Sequence, residues 1–244
     1  MFVRVSVAMA VYNGEEYLRE QIDSIINQLR SDDELVISYN DSTDDTWEII
    51  KAYAINEEKI KLFKCNNVGV IANFNNAIEN SKGKYIFLAD QDDVWYPHKI
   101  ETVVRNFENS DALAIVHNTE IVNKDLIPIN ESLFEVRKAK VGLIKNILQN
   151  SYQGCCLAFK SELVPYICPI PKNVPMHDQW IGLSAEIYGD VFFINEKLIA
   201  YRRHDKNVSP NKLKLLQKLI NRFNLLVELV KRLYTSRQKI SNTK

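Results

Sequence analysis

Residues 84–95 read KYIFLADQDDVW, an apolar run that ends abruptly in a group of acids. A short apolar run bounded by polar residues predicts a buried strand, here residues 84–89. Asp90, Asp92 and Asp93 follow, and carboxylates so close together repel one another unless a cation or the hydroxyls of a ligand occupy the site. Oxygen ligands of this kind favour hard cations such as Mg²⁺ or Mn²⁺. A solvated acidic turn explains the acids alone equally well.

Upstream of this run, strand and helix patterns alternate along the chain. The predicted elements are strand 3–11, helix 15–29, strand 34–39, a helix capped by residues 42–44 that ends near residue 54, strand 59–64 and helix 69–81. This β-α-β-α-β-α-β order predicts an α/β fold with a parallel sheet and helices on both faces. Ligands of such sheets bind outside the carboxyl ends of the strands, where the polar loops 13–14, 40–45 and 90–93 are expected.

The second half of the chain has a less regular pattern. The predicted elements are strands at residues 112–122, 154–159, 191–195 and 197–202 and helices at 142–150 and 178–188. No repeat or low-complexity linker interrupts the sequence. We therefore expect one large domain, followed by a tail that begins near residue 209.

Composition restricts the class of protein. The 244 residues are 46% hydrophobic and 25% charged with a net charge of zero, which is typical of a globular protein with no overall attraction to nucleic acid. None of the four cysteines has CxxC spacing, so a zinc site is not expected. Cys155 and Cys156 would face opposite sides of a strand, which disfavours a disulfide bond between them. Reduced thiols in a cytoplasmic protein are therefore expected. The first residues lack a signal-peptide pattern, and no apolar run approaches the roughly 20 residues that a membrane span needs.

The charge is unevenly distributed along the chain. Residues 210–244 carry nine Lys or Arg and one Glu, a net charge of +8 that leaves −8 on residues 1–209. Leu216, Leu219, Phe223, Leu226 and Val230 recur at helical spacing between the basic residues. A basic amphipathic helix of this kind suits an anionic membrane surface, and residues 212–234 are the predicted contact. Packing on the chain's own domain, or on a second copy in a homodimer, remains an alternative.

Five short motifs follow predicted strand ends or begin a predicted helix. In chain order they are Val11-Tyr12-Asn13-Gly14, Ser42-Thr43-Asp44, Asp90-Gln91-Asp92-Asp93, Met176-His177-Asp178-Gln179-Trp180 and Tyr201-Arg202-Arg203-His204. Together they resemble the motifs of the family 2 glycosyltransferases, which have the GT-A fold, over roughly residues 3–208. The motifs DQDDVW, GCC and MHD resemble bacterial enzymes of O-antigen, capsule and exopolysaccharide synthesis, including rhamnosyltransferases.

The resemblance implies a role for each matching residue. The residues that it assigns to the donor nucleotide are Val11, Tyr12, Asn13, Asn40, Asp41, Asp90 and Arg202. Asp92 and His204 would hold Mg²⁺ or Mn²⁺ between the phosphates, and Asp178 would be the general base that activates an acceptor hydroxyl. The supporting or acceptor-side residues would be Asp93, Trp95, Gly154, His177 and Trp180.

Several of these residues also have purely structural explanations. Asp178 suits the N-cap of a helix, and His177 suits packing at the helix start. Trp95 suits the core, and Cys155 is more typical of a small packed residue than of a nucleophile. The resemblance is weakest at Tyr39-Asn40-Asp41, where relatives usually carry two aspartates and a glycine, so the base contact is the least defined part of the site.

These observations lead to a functional expectation and two alternatives. The resemblance implies an inverting, metal-dependent transfer of a hexose or deoxyhexose from a nucleotide-diphosphate sugar to a glycan, with an acceptor linked to undecaprenyl diphosphate at the inner face of the cytoplasmic membrane. It divides the chain into a catalytic domain, 1–208, with a nucleotide-binding half, 1–93, and an acceptor-binding half, 94–208, followed by the tail, 209–244. The alternatives are an inactive glycan-binding scaffold and a sugar nucleotidyltransferase. The latter usually has a Gly-rich basic loop after the first strand, where this chain has Glu15 and Glu16.

Overall fold

The computed structural model describes residues 3–130, 132–205, 207 and 214–241, with side chains up to residue 236. The strands are β1 (Val5–Val11), β2 (Glu34–Tyr39), β3 (Ile60–Lys64), β4 (Tyr85–Ala89), β5 (Val94–Trp95), β6 (Ala112–Val122), β7 (Pro128–Asn130), β8 (Leu157–Lys160) and β9 (Asp190–Arg202). The helices are α1 (Leu18–Ile26), α2 (Thr46–Asn56), α3 (Val70–Asn80), α4 (Lys99–Glu108), α5 (Leu133–Arg137), α6 (Leu143–Leu148), α7 (Val164–Ile167), α8 (His177–Tyr188) and α9 (Leu215–Ser241). The boundary predicted at residues 208 and 209, and the first residues of the predicted membrane contact, lie outside the described residues.

The first half of the chain forms the parallel part of the sheet. Strands β3, β2, β1 and β4 lie side by side in that order, and each neighbouring pair is parallel. This confirms the α/β alternation predicted over the first 90 residues. α1 begins at Leu18, three residues later than predicted, because residues 14–17 form a turn in which the N–H groups of Tyr17 and Leu18 donate to the Gly14 carbonyl.

The second half makes the sheet mixed. β8 is antiparallel to both β4 and β6, whereas β9 runs parallel to β6. β5 and β7 pair antiparallel with β9 and β6 respectively. The mostly parallel sheet predicted from the sequence is therefore parallel in its first half and mixed beyond β4.

Two local predictions for the second half were wrong. The predicted strand 154–159 begins only at Leu157, because Gly154–Cys156 forms a 3₁₀ turn. The thiols of Cys155 and Cys156 thus lie in a turn, and both are free and buried. The two strands predicted at 191–195 and 197–202 are one strand, β9, whose pairing with β6 shifts register between His117 and Asn118.

The core lies on both faces of the sheet. In β4 every side chain is buried, and in β1 only Ala10 is partly exposed. Near-continuous apolar strands are expected where helices cover both faces. Trp180 of α8 is fully buried, and its indole N–H donates to the Ile167 carbonyl at 2.9 Å. Burial of such large side chains stabilises the fold by about 2 to 3 kcal/mol each.

The predicted C-terminal amphipathic helix is present as α9. Leu225 and Leu229 are buried against the domain. The Arg232 guanidinium donates to the carbonyls of Cys168 and Pro169 at 2.8 and 2.6 Å. Among the described residues, no helix has both the length and the apolar character needed to cross a bilayer. One face of α9 therefore docks on the domain, and the apolar residues of the other faces remain exposed.

Candidate active site

A cleft of about 910 Å³ opens at the carboxyl ends of β1, β2 and β4. Loops after these strands form one side, and the start of α8, the segment 147–154 and the first turns of α9 form the other. Ten of the residues singled out in the sequence line this cleft: Val11, Tyr12, Asn13, Asn40, Asp90, Asp92, Gly154, His177, Asp178 and His204. The fold thus brings together motifs that are far apart along the chain.

Gln91 fastens the acidic loop to the loop after β1. Its Oε1 accepts from the Tyr12 N–H at 2.8 Å, and its Nε2 donates to the Tyr12 carbonyl at 2.9 Å. Gly14 makes room for this amide, because a Cβ at Gly14 would lie 2.7 Å from Gln91 Oε1. The sequence analysis missed this role, although an amide that both donates and accepts is well suited to pairing with a backbone.

Ser42 and Thr43 join the loop after β2 to Asn13, in the loop after β1. The Asn13 N–H donates to Ser42 Oγ at 3.0 Å, and Asn13 Oδ1 accepts from the Thr43 N–H at 2.9 Å. Asn13 adopts a left-handed conformation with φ of 47°, which asparagine tolerates better than most residues. The N-cap residue of α2 is Asp45, one residue after the predicted capping residues 42–44, although Asp44 Oδ1 accepts from the Thr46 N–H at 3.1 Å at the start of the helix. This motif holds the cleft wall in shape.

The side-chain amide of Asn40 is fully engaged inside the protein. Its Nδ2 donates to the carbonyls of Cys65 and Asn67 at 2.7 and 3.0 Å, and its Oδ1 accepts from Asn73 Nδ2 at 3.1 Å. Asn40 is only 6% exposed, although it lines the cleft. Its Nδ2 is therefore already used by backbone carbonyls and is not free to read a nucleobase.

Asp90 and Asp93 form an acidic group with Cys155, in which Asp93 and Cys155 are buried and Asp90 is half-buried. The ligand atoms of these three side chains lie within 4.8 Å of one another. Burial, together with the Asp92 charge, raises the pKa of Asp90 to about 7 and that of Asp93 well above its usual value. Asp93 Oδ1 accepts from the Arg202 N–H at 3.0 Å, so Asp93 joins the acidic loop to the end of β9.

Lys99 is a buried cation next to this group, and the sequence analysis missed its importance. Its side chain is almost fully buried, and its Nζ donates to the Cys155 carbonyl at 2.8 Å. The Nζ also lies 3.7 Å from the centroid of the Trp95 ring. Burial lowers the pKa of Lys99 to about 8, while Asp93 and Asp90 favour its charged form. Lys99 thus supplies positive charge where two acids would otherwise repel each other.

Asp92 and His204 meet at the cleft. Asp92 Oδ2 lies 2.8 Å from His204 Nε2 and accepts from Asn207 Nδ2 at 3.0 Å. The Tyr17 ring packs on the imidazole, with 4.8 Å between the centroids. The two residues that the resemblance assigned to the metal are therefore adjacent, although 112 positions separate them in the chain.

Asp178 lies in the first turn of α8 and faces the same cleft. It is 5% exposed, and its Oδ1 accepts from the Gln179 N–H at 2.5 Å and from Asn150 Nδ2 at 3.4 Å. Burial raises the pKa of Asp178, although Arg137 and these hydrogen bonds act in the opposite direction. The N-cap residue of α8 is Met176, so Asp178 is not the helix cap.

His177 forms part of the cleft floor, and Gly154 makes room for it. The imidazole stacks on Phe74 with 3.9 Å between ring centroids, and burial lowers its pKa to about 3. A Cβ at Gly154 would lie 2.7 Å from His177 Nε2. Neither ring nitrogen of His177 has a hydrogen-bond partner among the described residues. His177 is therefore a buried ring whose uncharged form is favoured.

Four of the residues singled out in the sequence point away from the cleft. Asp41 is exposed and pairs with Lys64 at 2.8 Å. Trp95 and Trp180 are buried in the core. The Arg202 guanidinium is buried between Glu20 and the Lys124 carbonyl, over the Tyr17 ring. The expected phosphate contact of Arg202 is thus replaced by an ion pair with Glu20, which lies 182 positions earlier in the chain.

The comparison with known proteins identifies the family of the chain. The family model for glycosyl transferase family 2 matches residues 6–164, which is more than half of the chain. This chain belongs to glycosyl transferase family 2. An uncharacterized glycosyltransferase of Nostoc sp. strain PCC 7120 is 29% identical over 213 residues, which cover 84% of this chain and 66% of the relative. One of Rickettsia felis is 30% identical over 215 residues, which cover 84% of this chain and 35% of the relative. The family 2 chain thus spans from about a third to about two thirds of these relatives.

Solved structures confirm the GT-A fold of this family 2 chain. The first 349 residues of S. aureus TarS, in complex with UDP-GlcNAc, superpose with a TM-score of 0.71 at 16% identity and cover 96% of this chain and 73% of TarS 1–349. The mannosyltransferase PcManGT of Pyrobaculum calidifontis, in complex with GDP-Man and Mn²⁺, gives a TM-score of 0.66 at 17% identity. These alignments cover 85% of this chain and 59% of PcManGT. At such low identity the comparison supports a shared fold and nothing more.

The family 2 chain offers two groups of side chains that suit different ligands. At the cleft, Asp92 supplies a carboxylate, which suits Mn²⁺ or Mg²⁺, and His204 adds an imidazole, a ligand more typical of transition metals. Asp90, Asp93 and Cys155 fit such ions less well, because burial raises the pKa of the Cys155 thiol and keeps it protonated. Asp92 and His204 are therefore the better candidates for a divalent cation.

Proposed function

We propose that the chain transfers a sugar from a nucleotide-diphosphate sugar to an acceptor hydroxyl, with inversion at the anomeric carbon and with a divalent cation. The observation that carries the proposal is that the Asp92–His204 pair and the buried carboxylate of Asp178 line one cleft of about 910 Å³. One group suits a diphosphate with its cation, and the other suits an incoming alcohol. Residues 1–93 supply most of the donor side, and residues 94–208 supply the acceptor side.

The donor would lie along the loops after β1 and β4. Val11, Tyr12 and Asn13 line the cleft there, and Gln91 holds this loop in place. The base would contact the edge of the cleft near Asn40 through backbone groups, because the Asn40 amide is already engaged. Asp90 is partly exposed at the cleft, where it can accept a hydrogen bond from a donor hydroxyl.

Asp92 and His204 would hold Mg²⁺ or Mn²⁺. The ion, when bound, would act as a Lewis acid that offsets the negative charge of the departing diphosphate. Asn207 and Tyr17 keep the two ligands in position, since they contact Asp92 and His204 respectively. TarS has been solved with UDP-GlcNAc, and PcManGT with GDP-Man and Mn²⁺. These complexes support the proposal by analogy of fold.

Asp178 would act as the general base. The acceptor oxygen attacks the anomeric carbon while its proton passes to Asp178, and the bond from the anomeric carbon to the diphosphate oxygen breaks. The electron pair of that bond leaves with the nucleoside diphosphate, so no covalent intermediate forms. Because burial raises the pKa of Asp178, its carboxylate is a stronger base than an exposed aspartate. Attack opposite to the leaving group inverts the configuration.

The acceptor would be a lipid-linked glycan of a bacterial surface polysaccharide, reached at the inner face of the cytoplasmic membrane. α9 leaves apolar side chains exposed, among them Leu216, Leu219, Phe223, Val230 and Tyr234. Lysines and arginines flank these residues, and the opposite face of the helix docks on the domain. An exposed apolar stripe with flanking positive charge suits an anionic bilayer surface. A homodimer that covers the same stripe is the competing arrangement.

The test is a panel of nucleotide sugars incubated with the purified chain. We expect one nucleoside diphosphate to raise the melting temperature only in the presence of Mn²⁺ or Mg²⁺, and its sugar conjugate to release that nucleotide slowly. The Asp41→Asn protein is a control that should bind the same nucleotide as wild type does, since Asp41 lies outside the cleft. A panel in which no nucleotide stabilises the protein, with or without metal, would refute the proposed function.

A further inference from the structure

The acceptor side of the cleft carries more positive than negative charge. Among the described residues that line the cleft, the lysine and arginine side chains are Arg137, Lys218 and Arg222. None of the three is within 4.0 Å of a carboxylate among the described side chains. Cations at a protein surface usually have acids nearby, and the donor side of this cleft is itself rich in acids. Arg137 faces the Asp178 carboxylate, but Lys218 and Arg222 have no ion pair among the described side chains, so this wall suggests an anionic ligand.

Two of these cations, Arg137 and Arg222, are held by the segment that also contacts Asp178. The Arg222 guanidinium donates to the Leu148 carbonyl at 2.6 Å, and the Arg137 guanidinium donates to the Tyr152 carbonyl at 2.9 Å. Asn150, which lies between the two carbonyls in the chain, contacts the Asp178 carboxylate at 3.4 Å. The segment 148–152 thus fixes both arginines around the proposed base, on the side where the acceptor must approach.

The two arginines still have donors to offer. Each makes one hydrogen bond to a carbonyl with a terminal nitrogen, and a guanidinium has five N–H groups. Fork-shaped pairing with two oxygens makes arginine well suited to phosphate. Lys218 lies one helical turn before Arg222 on α9 and is exposed, so it can add a third charge.

We propose that Arg137, Lys218 and Arg222 bind a phosphate group of the acceptor. This inference rests on the proposed function, because it assumes that the wall around Asp178 receives the acceptor. The phosphate can belong to a diphosphate that links the glycan to a lipid, or to a phosphodiester within a glycan chain. Leu219 and Phe223 neighbour Lys218 and Arg222 on α9 and are exposed, so an attached lipid would have an apolar surface to lie on.

The test is a binding titration with the donor site already filled. Wild-type protein is saturated with the nucleoside diphosphate found by the panel, with Mn²⁺ in excess over all phosphates, and is then titrated with geranyl diphosphate or with glycerophosphoglycerol. Geraniol is the uncharged control ligand. Binding of geranyl diphosphate alone supports a lipid-linked diphosphate, binding of glycerophosphoglycerol alone supports a phosphodiester chain, and binding of both supports a phosphate site that accepts either.

Variants show whether the named cations form the site. We expect Lys218→Gln and Arg222→Gln each to weaken binding of the phosphate probe about tenfold, which is typical of one lost charge-assisted hydrogen bond. Arg222→Lys, which keeps the charge, should lose less than Arg222→Gln. Lys231→Gln is the matched control, because Lys231 is exposed on the same helix but pairs with Glu228 instead of lining the cleft. The nucleotide affinity of all these variants should equal that of wild type.

The outcomes separate this inference from the proposed function. The phosphate site is overturned if wild type does not bind the probe, or if Lys218→Gln and Arg222→Gln bind it as tightly as wild type does. Either result leaves the proposed transfer intact. Variants that lose nucleotide affinity would show that the cations serve the donor, which also overturns it. A wild-type protein that binds no nucleotide refutes the proposed transfer, and the acceptor role falls with it.

Discussion

The buried imidazole of His177 makes the stability of the protein depend on pH in a way that can be measured. Its side chain stacks on Phe74, and burial lowers its pKa from 6.5 to about 3. Below pH 6.5 the unfolded chain therefore binds a proton at this position that the folded protein excludes. The contribution of His177 to stability is fully present above pH 6.5 and is lost as the pH falls toward 3. The perturbation that isolates it is His177→Asn, which removes the titrating group.

The size of the effect follows from the shift. A pH of 4.5 is two units below the pKa of an exposed histidine, 6.5, and still above the pKa of His177. Each unit of difference corresponds to about 1.4 kcal/mol of unfolding free energy. Wild type should therefore lose about 3 kcal/mol more unfolding free energy between pH 7 and pH 4.5 than His177→Asn does. Other titrating groups are common to both proteins. Asp90, whose pKa burial raises to about 7, acts in the opposite direction in each of them.

The assay is urea unfolding of both proteins at pH 7 and pH 4.5, without nucleotide or metal. His98→Asn is the control, since it replaces a histidine whose side chain is 78% exposed. Parallel loss of stability in wild type and His177→Asn would refute the reasoning, because it would mean that the folded protein accepts the proton.

Three further predictions concern the cation, the cleft floor and the membrane. EDTA should stop turnover, and Asp92→Asn should abolish metal-dependent stabilisation by nucleotide, so full activity in chelator would exclude a metal role for Asp92. Gly154→Ala should destabilise the protein by about 1 to 3 kcal/mol in urea unfolding, because the new methyl group would overlap the His177 ring, and unchanged stability would contradict that close approach. Replacing Leu219 and Phe223 by serine should weaken sedimentation of the protein with anionic vesicles. Sedimentation equal to that of wild type would favour packing on the protein over membrane contact. Loss of a dimer, measured by light scattering, would favour a homodimer.

The first half of the fold could be predicted from sequence because its signals are local. β1, β2 and β4 are mainly apolar runs, and the helices that follow β1 and β3 have apolar residues at helical spacing. The second half is harder, because β8 and β9 depend on pairing with β6 across long stretches of chain. The 3₁₀ turn at Gly154–Cys156 looks like the start of a strand in sequence, since its residues are small and apolar.

The candidate site divides in the same way. Asp92, His204 and Asp178 were identified from their motifs, and the structure places them at one cleft. Arg202 was assigned to the donor nucleotide by the resemblance, which could not reveal that Glu20 forms an ion pair with it. Gln91 and Lys99 were missed as parts of the site because their roles depend on partners from distant segments, Tyr12 for one and Cys155 for the other.

The most direct test of the central claim is the transfer rate of Asp178→Asn, once a donor and an acceptor have been found. Asparagine keeps the shape of the side chain but cannot take the proton, so we expect the rate to fall by about 10² to 10⁴ while nucleotide affinity stays at the wild-type value. A wild-type rate in Asp178→Asn would show that the carboxylate facing this cleft does not activate the acceptor.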